Sequence, residues 1–255
     1  MTQLFDLTGR VAVITGGNRG IGLAIGEALA SAGSAVAIWA RNVDLSEQAA
    51  EQIRAHGTPV SVHPCDVGNE GDVAAAMEST LGAHGRIDSA FVNAGVGQQR
   101  IAFHELPLAE WRRVLGINLD GAFLTMRAVS AHMIERGGGG SMVVLSSVSA
   151  HFGQPQGESY SASKAALGAL TRSTAVELAR HGVRVNALLP GWTETDLTES
   201  TFANPTFVDR VGKRIPLRRW GKPSELGGIA IYLASDASSY HTGDTLVIDG
   251  GFSVF

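Results

Sequence analysis

Short apolar runs rich in β-branched residues alternate along the chain with longer segments whose apolar residues recur at helical spacing. The apolar runs predict strands at residues 10–15, 34–39, 60–63, 88–95 (with its turn), 142–147, 183–189 and 245–249. Helical patterns separate them at residues 23–30, 44–57, 71–83, 108–136, 160–182 and 224–233. Strands that alternate with helices through short connections predict an α/β fold, in which helices cover both faces of a parallel sheet.

No internal repeat, linker or low-complexity tract divides the chain, so residues 1–255 are expected to form a single domain. Asp44-Leu-Ser-Glu47 is typical of a capping box at the start of the second helix, which Gly57 ends. The segment at residues 192–220 carries charges, two prolines and isolated apolar residues, without a strand pattern. It is expected to be a mobile substrate lid, because this mixture gives it little reason to pack without a ligand.

The composition favours a soluble cytoplasmic protein. The 255-residue chain is 44% hydrophobic, and its net charge of −4 without a basic run argues against nucleic acid and anionic membranes as partners. Cys65 is the single cysteine, which excludes an internal disulfide and suits a reducing compartment. The first residues lack a signal-peptide pattern, and no apolar run approaches the roughly 18 residues of a membrane span. The eight histidines are scattered, so no metal site is expected.

A glycine-rich turn joins the first strand to the first helix. Gly16, Gly20 and Gly22 follow the strand at once, which is the context that a dinucleotide site requires. Glycines let the backbone approach a pyrophosphate, which then lies at the helix N-terminus among free N–H groups. The spacing differs from the usual G-x-G-x-x-G, so a tight turn with a purely structural role is the alternative.

The end of the second strand carries a guanidinium where an NAD site usually carries an acid. The residues there are Ala40-Arg41-Asn42, and Arg19 lies inside the glycine turn. A carboxylate at this place binds the ribose 2′-OH of NAD, whereas two cations without a carboxylate suit the 2′-phosphate of NADP. We therefore expect a preference for NADP(H), with NAD(H) as an open alternative. Two solvated arginines, or an arginine stacked on adenine, would explain the same residues.

Tyr160 and Lys164 form a candidate acid/base pair. They are four residues apart in a helical pattern, so their side chains lie on one helix face. A nearby ammonium lowers the phenol pKa from about 10 toward neutral pH, where a general acid/base is most effective. Ser147 ends the preceding apolar run and can hydrogen-bond a substrate oxygen. A surface Tyr–Lys pairing and a plain loop serine are the alternatives, and Asn118, among apolar neighbours, is either a satisfied buried amide or part of the site.

Together, these motifs resemble those of the classical short-chain dehydrogenases/reductases. The resemblance spans essentially the whole chain and rests on Thr15-Gly16-x-x-x-Gly20-x-Gly22, Asn93-Ala94-Gly95, Asn118, Ser147, Tyr160-x-x-x-Lys164 and Pro190-Gly191. It implies a single-domain Rossmann fold with a doubly wound, seven-stranded parallel sheet and helices on both faces. It also implies a homotetramer, the usual assembly of this family.

The resemblance also assigns functional residues. The implied catalytic tetrad is Asn118, Ser147, Tyr160 and Lys164. The implied cofactor-binding residues, besides Tyr160 and Lys164, are Gly16, Asn18, Arg19, Gly20, Ile21, Gly22, Arg41, Asn42, Asp66, Val67, Asn93, Ala94, Gly95, Pro190, Gly191, Thr193 and Thr195. Among these, Asp66 and Val67 match the positions that contact adenine.

The implied activity is that of an NADP(H)-dependent oxidoreductase that interconverts a secondary alcohol and a ketone. Ser147 would polarise the carbonyl, Tyr160 would be the general acid/base, Lys164 would lower its pKa, and Asn118 would position a water. One alternative is a 3-oxoacyl-[acyl-carrier-protein] reductase, whose acidic carrier needs a cationic patch such as Arg127, Arg136, Arg172 and Arg180. A lesser alternative is a non-catalytic NADP(H)-binding sensor or scaffold, which would typically lack the tetrad.

The predicted mouth of the site is mainly aromatic, aliphatic and neutral polar. Candidate substrate contacts besides Ser147 are Gln98, His151, Gln154 and Trp192, with Ala150, Phe202 and Phe207 nearby. The nearest charges are Glu194, Asp196 and Glu199, which repel a carboxylate or a phosphate. The substrate is therefore expected to be a small or medium-sized uncharged ketone or its secondary alcohol.

Overall fold

Seven parallel strands form one sheet in the computed structural model, which describes residues 3–255 apart from the side chains of residues 200 and 202. The strands are β1 (Val11–Thr15), β2 (Ala35–Ala40), β3 (Val60–Pro64), β4 (Ser89–Val92), β5 (Gly140–Leu145), β6 (Val183–Pro190) and β7 (Thr245–Ile248). Their order in the sheet is β3-β2-β1-β4-β5-β6-β7. The order reverses between β1 and β4, which opens a crevice at the carboxyl ends of these strands. The predicted doubly wound, seven-stranded sheet is confirmed.

Helices cover both faces of this sheet. They are α1 (Gly20–Ser31), α2 (Val43–Arg54), α3 (Glu70–His84), α4 (Leu108–Leu115), α5 (Gly121–Arg136), α6 (Glu158–Leu178), α7 (Glu199–Phe202), α8 (Pro205–Arg214) and α9 (Gly227–Ala234). Ile14 and Leu29 belong to the core under α1, α2 and α9, whereas Val13 and Val129 belong to the core under α3, α5 and α6. Successive strand residues face opposite sides, so β1, covered on both faces, is buried at every position.

A π-helical turn interrupts the long helix predicted at residues 108–136. It spans Gly116–Asp120 and joins α4 to α5. Such turns carry an extra residue, change the direction of the following side chains and are frequent at functional sites. Asn118 lies in this turn and is 1% exposed.

The predicted capping box at Asp44 is wrong, because Asn42 caps α2. The Asn42 Oδ1 accepts a hydrogen bond of 2.9 Å from the Leu45 N–H, and the helix begins at Val43. Asparagine is among the strongest N-cap residues, since its side-chain oxygen satisfies a first-turn N–H that has no partner within the helix. Asp44 instead lies inside the first turn, where its negative charge interacts favourably with the positive end of the helix dipole.

The segment predicted as a lid, residues 192–220, contains its own helices and an apolar anchor. The helix α8 places Val211 in a small cluster, which also contains Ile215, Trp220 and Phe252. The prediction that the segment has little reason to pack is therefore wrong for its second half. Val211 and Ile215 are four residues apart, which is helical spacing and could have indicated α8. Phe252, against which they pack, lies far away in the sequence, so the packing itself has no local signal. Mobility of the segment stays a prediction.

No helix among residues 3–255 is both long enough and apolar enough to cross a lipid bilayer. Within the same described residues, no three histidine, cysteine or acidic side chains gather in a way that could hold a metal ion.

Candidate active site

The glycine turn after β1 needs its glycines for two physical reasons. Gly16 and Gly20 have φ angles of +63° and +53°, which residues with a Cβ rarely adopt. A Cβ on Gly22 would collide with the Gly16 carbonyl oxygen and lie 2.6 Å from the Asn93 Nδ2. The Asn93 amide in turn donates to the carbonyl oxygens of Thr15 and Gly16, at 3.0 and 3.1 Å. The spacing of Gly16, Gly20 and Gly22 thus allows the turn, the start of α1 and the loop after β4 to pack in close contact.

A cleft of about 890 Å3 is lined by residues that follow β1, β2, β3 and β4. The predicted cofactor residues that line it are Gly16, Asn18, Arg19, Gly20, Ile21, Arg41, Asn42, Asp66, Val67, Asn93, Ala94, Gly95 and Thr195. The prediction missed Trp39, Ala40, Leu45, Cys65, Val96, Ile117, Asp196 and Leu197. Ala40, Cys65, Val96 and Asp196 adjoin a predicted cofactor position, and Trp39 and Leu197 lie one residue further away, which is the signal that could have found them. Leu45 and Ile117 come from α2 and the π-turn, and no motif indicates them.

Other predicted cofactor residues lie outside this lining. Gly22 packs against the Gly16 carbonyl oxygen and the Asn93 amide, and Pro190 ends β6. Gly191 packs so closely on Asp249 that a Cβ would lie 2.5 Å from the Asp249 Cβ. The Thr193 hydroxyl is buried and donates to the Gly191 carbonyl oxygen at 3.1 Å. Roles of these residues in cofactor binding stay predictions.

Two guanidinium groups flank the cleft beside the glycine turn and β2. The Arg19 Nη1 lies 3.2 Å from the Asp196 carboxylate, and the Arg41 Nη1 lies 3.9 Å from that of Asp66. Both arginine side chains are more than half exposed, and β2 ends in Ala40 rather than in an acid. The size of the cleft, the glycines and these cations fit a dinucleotide that carries an additional phosphate.

Tyr160 and Lys164 lie on the first two turns of α6, as predicted. Lys164 is 4% exposed, and its Nζ donates to the Leu145 carbonyl oxygen at 2.7 Å. The Nζ lies 5.7 Å from the centre of the Tyr160 ring. Burial lowers the pKa of Lys164 to about 8. The Ser146 hydroxyl donates to the Lys164 carbonyl oxygen at 2.7 Å, so the end of β5 is tied to α6 at two points.

Three hydroxyl groups meet beyond the end of β5. The Ser147 Oγ accepts from the Ser149 N–H at 3.2 Å and from the Ser149 hydroxyl at 2.7 Å. Burial raises the pKa of Tyr160, and hydrogen bonds with Ser147 and Ser149 oppose the rise. The expected fall of this pKa toward neutrality is therefore wrong for the protein chain, because desolvation outweighs the hydrogen bonds that favour the phenolate. Ser149 was missed, although the hydroxyl-rich run Ser146-Ser-Val-Ser149 could have indicated it.

Asn118 is both a satisfied buried amide and a neighbour of the candidate acid/base pair. Its Nδ2 donates to the Val96 carbonyl oxygen and the Ser163 hydroxyl at 3.0 and 3.1 Å. Its Oδ1 accepts from the Val96 N–H at 2.8 Å. A Cβ on Gly95 would lie 3.3 Å from the Asn118 Oδ1 and 3.4 Å from the Lys164 Nζ. Asn118 and Lys164 therefore meet at Gly95, which lines the cleft.

The predicted substrate contacts surround this cluster in different ways. The Gln98 amide bonds to the start of α6 rather than projecting freely. The Trp192 ring packs among aromatic rings, with centres 5.0 Å from Trp220 and 5.4 Å from Phe207. His151 and Gln154 are exposed between β5 and α6. Contact of these residues with substrate stays a prediction, and the side chain of Phe202 lies outside the described residues.

Known proteins resemble this chain along its whole length. The family described as Enoyl-(Acyl carrier protein) reductase matches residues 16–253. The 5-keto-D-gluconate 5-reductase of Escherichia coli K12 is 36% identical over 100% of this chain and 99% of its own length. The sorbose reductase of Schizosaccharomyces pombe is 39% identical, over 99% of each chain. The crystal structure of a gluconate 5-dehydrogenase from Burkholderia cenocepacia with NADP and tartrate is 37% identical. It superposes with a TM-score of 0.94 over 99% of this chain and 98% of that one. The chain therefore belongs to the short-chain dehydrogenase/reductase family and is an oxidoreductase that interconverts alcohols and ketones.

Proposed function

We propose that this oxidoreductase uses NADP(H) to interconvert a small ketone and its secondary alcohol, with Asn118, Ser147, Tyr160 and Lys164 as its catalytic residues. One observation carries the proposal. Lys164 and Asn118 meet at Gly95, which lines the dinucleotide cleft, while the Tyr160 phenol bonds the hydroxyl groups of Ser147 and Ser149. A proton donor, a hydrogen-bond donor for the carbonyl and a cation therefore lie beside the place where a nicotinamide would lie.

NADP(H), when bound, supplies a hydride to a carbonyl carbon or accepts one from an alcohol. The residues proposed to hold it are those of the cleft, with the glycine turn at the pyrophosphate and Arg19 and Arg41 at the 2′-phosphate. Asp66 and Val67 would contact the adenine. The turn from Asn93 to Gly95 would lie on the nicotinamide side, where Lys164 can reach the ribose.

The chain's own residues then move one proton. The Ser147 hydroxyl donates to the substrate oxygen and holds it beside the phenol. Tyr160 is protonated at neutral pH, because burial raises its pKa, and it donates its proton to the oxygen as the carbonyl is reduced. The Lys164 ammonium, anchored on the Leu145 carbonyl, stabilises the phenolate that remains. In the oxidation direction the phenolate accepts the alcohol proton.

Replacing Tyr160 by Phe removes only the proton donor. We expect kcat to fall by about 10²–10⁴-fold, the usual contribution of general acid catalysis, while NADPH still binds. Steady-state kinetics and titration of NADPH fluorescence measure the two quantities. Retention of more than about a tenth of the wild-type kcat would contradict the acid role of Tyr160.

The preference for NADP(H) is supported by the two guanidinium groups of the cleft and by the related gluconate 5-dehydrogenase, whose structure contains NADP. A hydrogen bond to a charged group contributes about 1.5–3 kcal/mol, so we expect kcat/KM to favour NADPH over NADH by at least about tenfold. Joint replacement of Ala40 by Asp and Arg41 by Gln should reverse the preference.

The matched control replaces Arg54 by Gln, since Arg54 is an exposed arginine of α2 that does not line the cleft. This variant should keep the wild-type ratio of kcat/KM values. Equal kcat/KM for both cofactors in the wild-type enzyme would refute the preference.

For the substrate we propose an uncharged ketone that carries hydroxyl groups. Among the relatives, one is a sorbose reductase. The aromatic cluster around Trp192 offers faces for an apolar carbon skeleton, and the exposed carboxylate of Glu194 disfavours an anion. A keto sugar acid is the second candidate. The Arg214 guanidinium lies 4.7 Å from the centre of the Phe252 ring, within the same cluster, and could pair with a carboxylate.

The acyl-carrier-protein alternative finds less support. Three of the four arginines proposed for its landing patch are paired with acids: Arg127 with Glu70, Arg136 with Asp88 and Arg180 with Glu177. Paired guanidiniums attract an acidic carrier more weakly than free ones, because the neighbouring carboxylates cancel much of the field.

A substrate panel separates these three classes. With NADPH, kcat/KM should be higher for sorbose and simple cyclic ketones than for 5-keto-D-gluconate or an acetoacetyl thioester. A thioester preference of about a hundredfold, or nearly 3 kcal/mol, would overturn the neutral-ketone assignment. Equal or better use of 5-keto-D-gluconate, lost on replacing Arg214 by Gln, would favour the sugar acid.

We also propose a homotetramer, supported by apolar side chains exposed on α5, α6 and the C-terminal tail. Val176 is 82% exposed on α6, Val254 and Phe255 are 87% and 74% exposed, and Phe123 of α5 is 44% exposed. Apolar surface of this kind is typical of an interface. Light scattering at micromolar concentration should give four times the monomer mass of 26.6 kDa.

Replacing Val176 by Arg should shift the mass downward, because it buries a charge at the interface. Replacing Glu51 of α2 by Arg, which adds a cation to another exposed helix, should not. A wild-type monomer would contradict the assembly.

A cytoplasmic location is the remaining part of the proposal. Cys65 is the single cysteine and is buried, so the chain forms no internal disulfide that would require an oxidising compartment. Burial, with a smaller effect of Asp72 and Asp66, raises the pKa of its thiol to about 12, which suppresses the reactive thiolate.

A further inference from the structure

The helix that carries Tyr160 and Lys164 begins without a cap of its own. Its N-cap residue is Gly157, which has no side chain to accept from the first-turn N–H groups. Gln98, from the loop after β4, takes this role. Its Oε1 accepts from the Ser159 N–H at 2.8 Å and from the Ser159 hydroxyl at 2.6 Å. Its Nε2 donates to the Glu158 carboxylate at 2.9 Å.

The loop that carries Gln98 is itself held in place. The Gln99 N–H donates to the Glu110 carboxylate at 2.8 Å, and the Arg113 guanidinium donates to the Gly97 carbonyl oxygen at 2.8 Å. Glu110 is 7% exposed, and its hydrogen bonds with Arg113 lower its pKa to about 2, so it stays ionised. On the other side Asn118 binds both backbone groups of Val96. The loop is therefore a fixed support for the Gln98 amide.

We propose that Gln98 is a positioning residue for Tyr160, acting through Ser159, and not a substrate contact; this rests on the proposed function. Tyr160 follows Ser159 directly, in the first turn of α6. The Gln98 amide fixes that turn relative to the cofactor-side loop, and so holds the phenol against Ser147. Gln98 makes three hydrogen bonds to the helix. They occupy its side-chain carbonyl oxygen and one of its N–H groups, so these groups point to the helix and not to substrate.

The Gln98→Glu variant gives this role a pH signature. A carboxylate at position 98 can still accept from Ser159, but it faces the Glu158 carboxylate without the hydrogen that Nε2 supplies. Two carboxylates at this distance repel, so one of them takes up a proton at a higher pH than an isolated carboxyl group. The shared proton restores the missing hydrogen bond. The variant should therefore be most active at low pH and lose activity as the pair deprotonates.

The experiment compares Gln98→Leu, Gln98→Glu and a control, Gln99→Leu, whose side chain makes no hydrogen bond among the described residues. In Gln98→Leu, kcat for ketone reduction should fall about 10- to 100-fold, the effect of a small misplacement, while KM and the Kd of NADPH stay within about twofold. In Gln98→Glu the ratio of its kcat to the wild-type kcat should rise as the pH is lowered. Gln99→Leu should match the wild type.

Three results of these kinetic and stability measurements would overturn the proposal. The first is a raised KM with unchanged kcat in Gln98→Leu, which would mark a substrate contact. The second is a lower Tm with unchanged kcat in the same variant, which would mark a purely structural cap. The third is a Gln98→Glu pH profile parallel to that of the wild type.

A measurement that does not depend on activity separates failure of this proposal from failure of the proposed function. Ultraviolet titration, with Tyr160→Phe identifying the Tyr160 signal among three tyrosines, should show a changed ionisation in Gln98→Leu even if no tested ketone is reduced. An unchanged ionisation would also contradict the proposal.

Discussion

The hydrogen bond from the buried Lys164 ammonium to the Leu145 carbonyl is the contact on which the active site depends. It joins α6, the helix of the proposed catalytic residues Tyr160 and Lys164, to the end of β5, and the Ser146 hydroxyl adds a second hydrogen bond from the strand side. Lowering the Lys164 pKa from 10.5 to about 8 corresponds to roughly 3 kcal/mol against the charged form. In the proposed mechanism this cost has a function, because it places a cation one turn from the phenol, where it would stabilise the phenolate.

Burial acts on both members of the pair in the same direction, toward the neutral form. It raises the pKa of Tyr160 and lowers that of Lys164. The phenol therefore keeps its proton at neutral pH, and in the proposed mechanism the ammonium would act mainly on the phenolate that remains after the proton has left. Hydrogen bonds with Ser147 and Ser149 offset part of the burial and give the phenol a defined direction.

The cofactor end of the cleft is built on weaker interactions. Arg19 and Arg41 lie beside Asp196 and Asp66 in pairs that are largely exposed, and such pairs contribute about 0–1 kcal/mol. A phosphate dianion can therefore displace these carboxylates with little loss of stability. Asp196 belongs to the segment at residues 192–220. A phosphate that displaces Asp196 from Arg19 would therefore also remove one contact that holds this segment to the glycine turn.

The sequence by itself determined the strands, most of the helices and the residue types proposed for catalysis, because these depend on periodicity and on spacings of a few residues. The glycine turn, the Tyr160–Lys164 pair and the arginine at the end of β2 are all of this local kind. The tertiary structure decided what depends on burial or on distant partners. The π-turn at Asn118 departs from the regular helical period, and α8 finds Phe252 only after folding. Gln98 reaches Ser159 across 61 positions of sequence, and the Tyr160 pKa rises rather than falls because desolvation is a property of the packed core and not of the spacing between two residues.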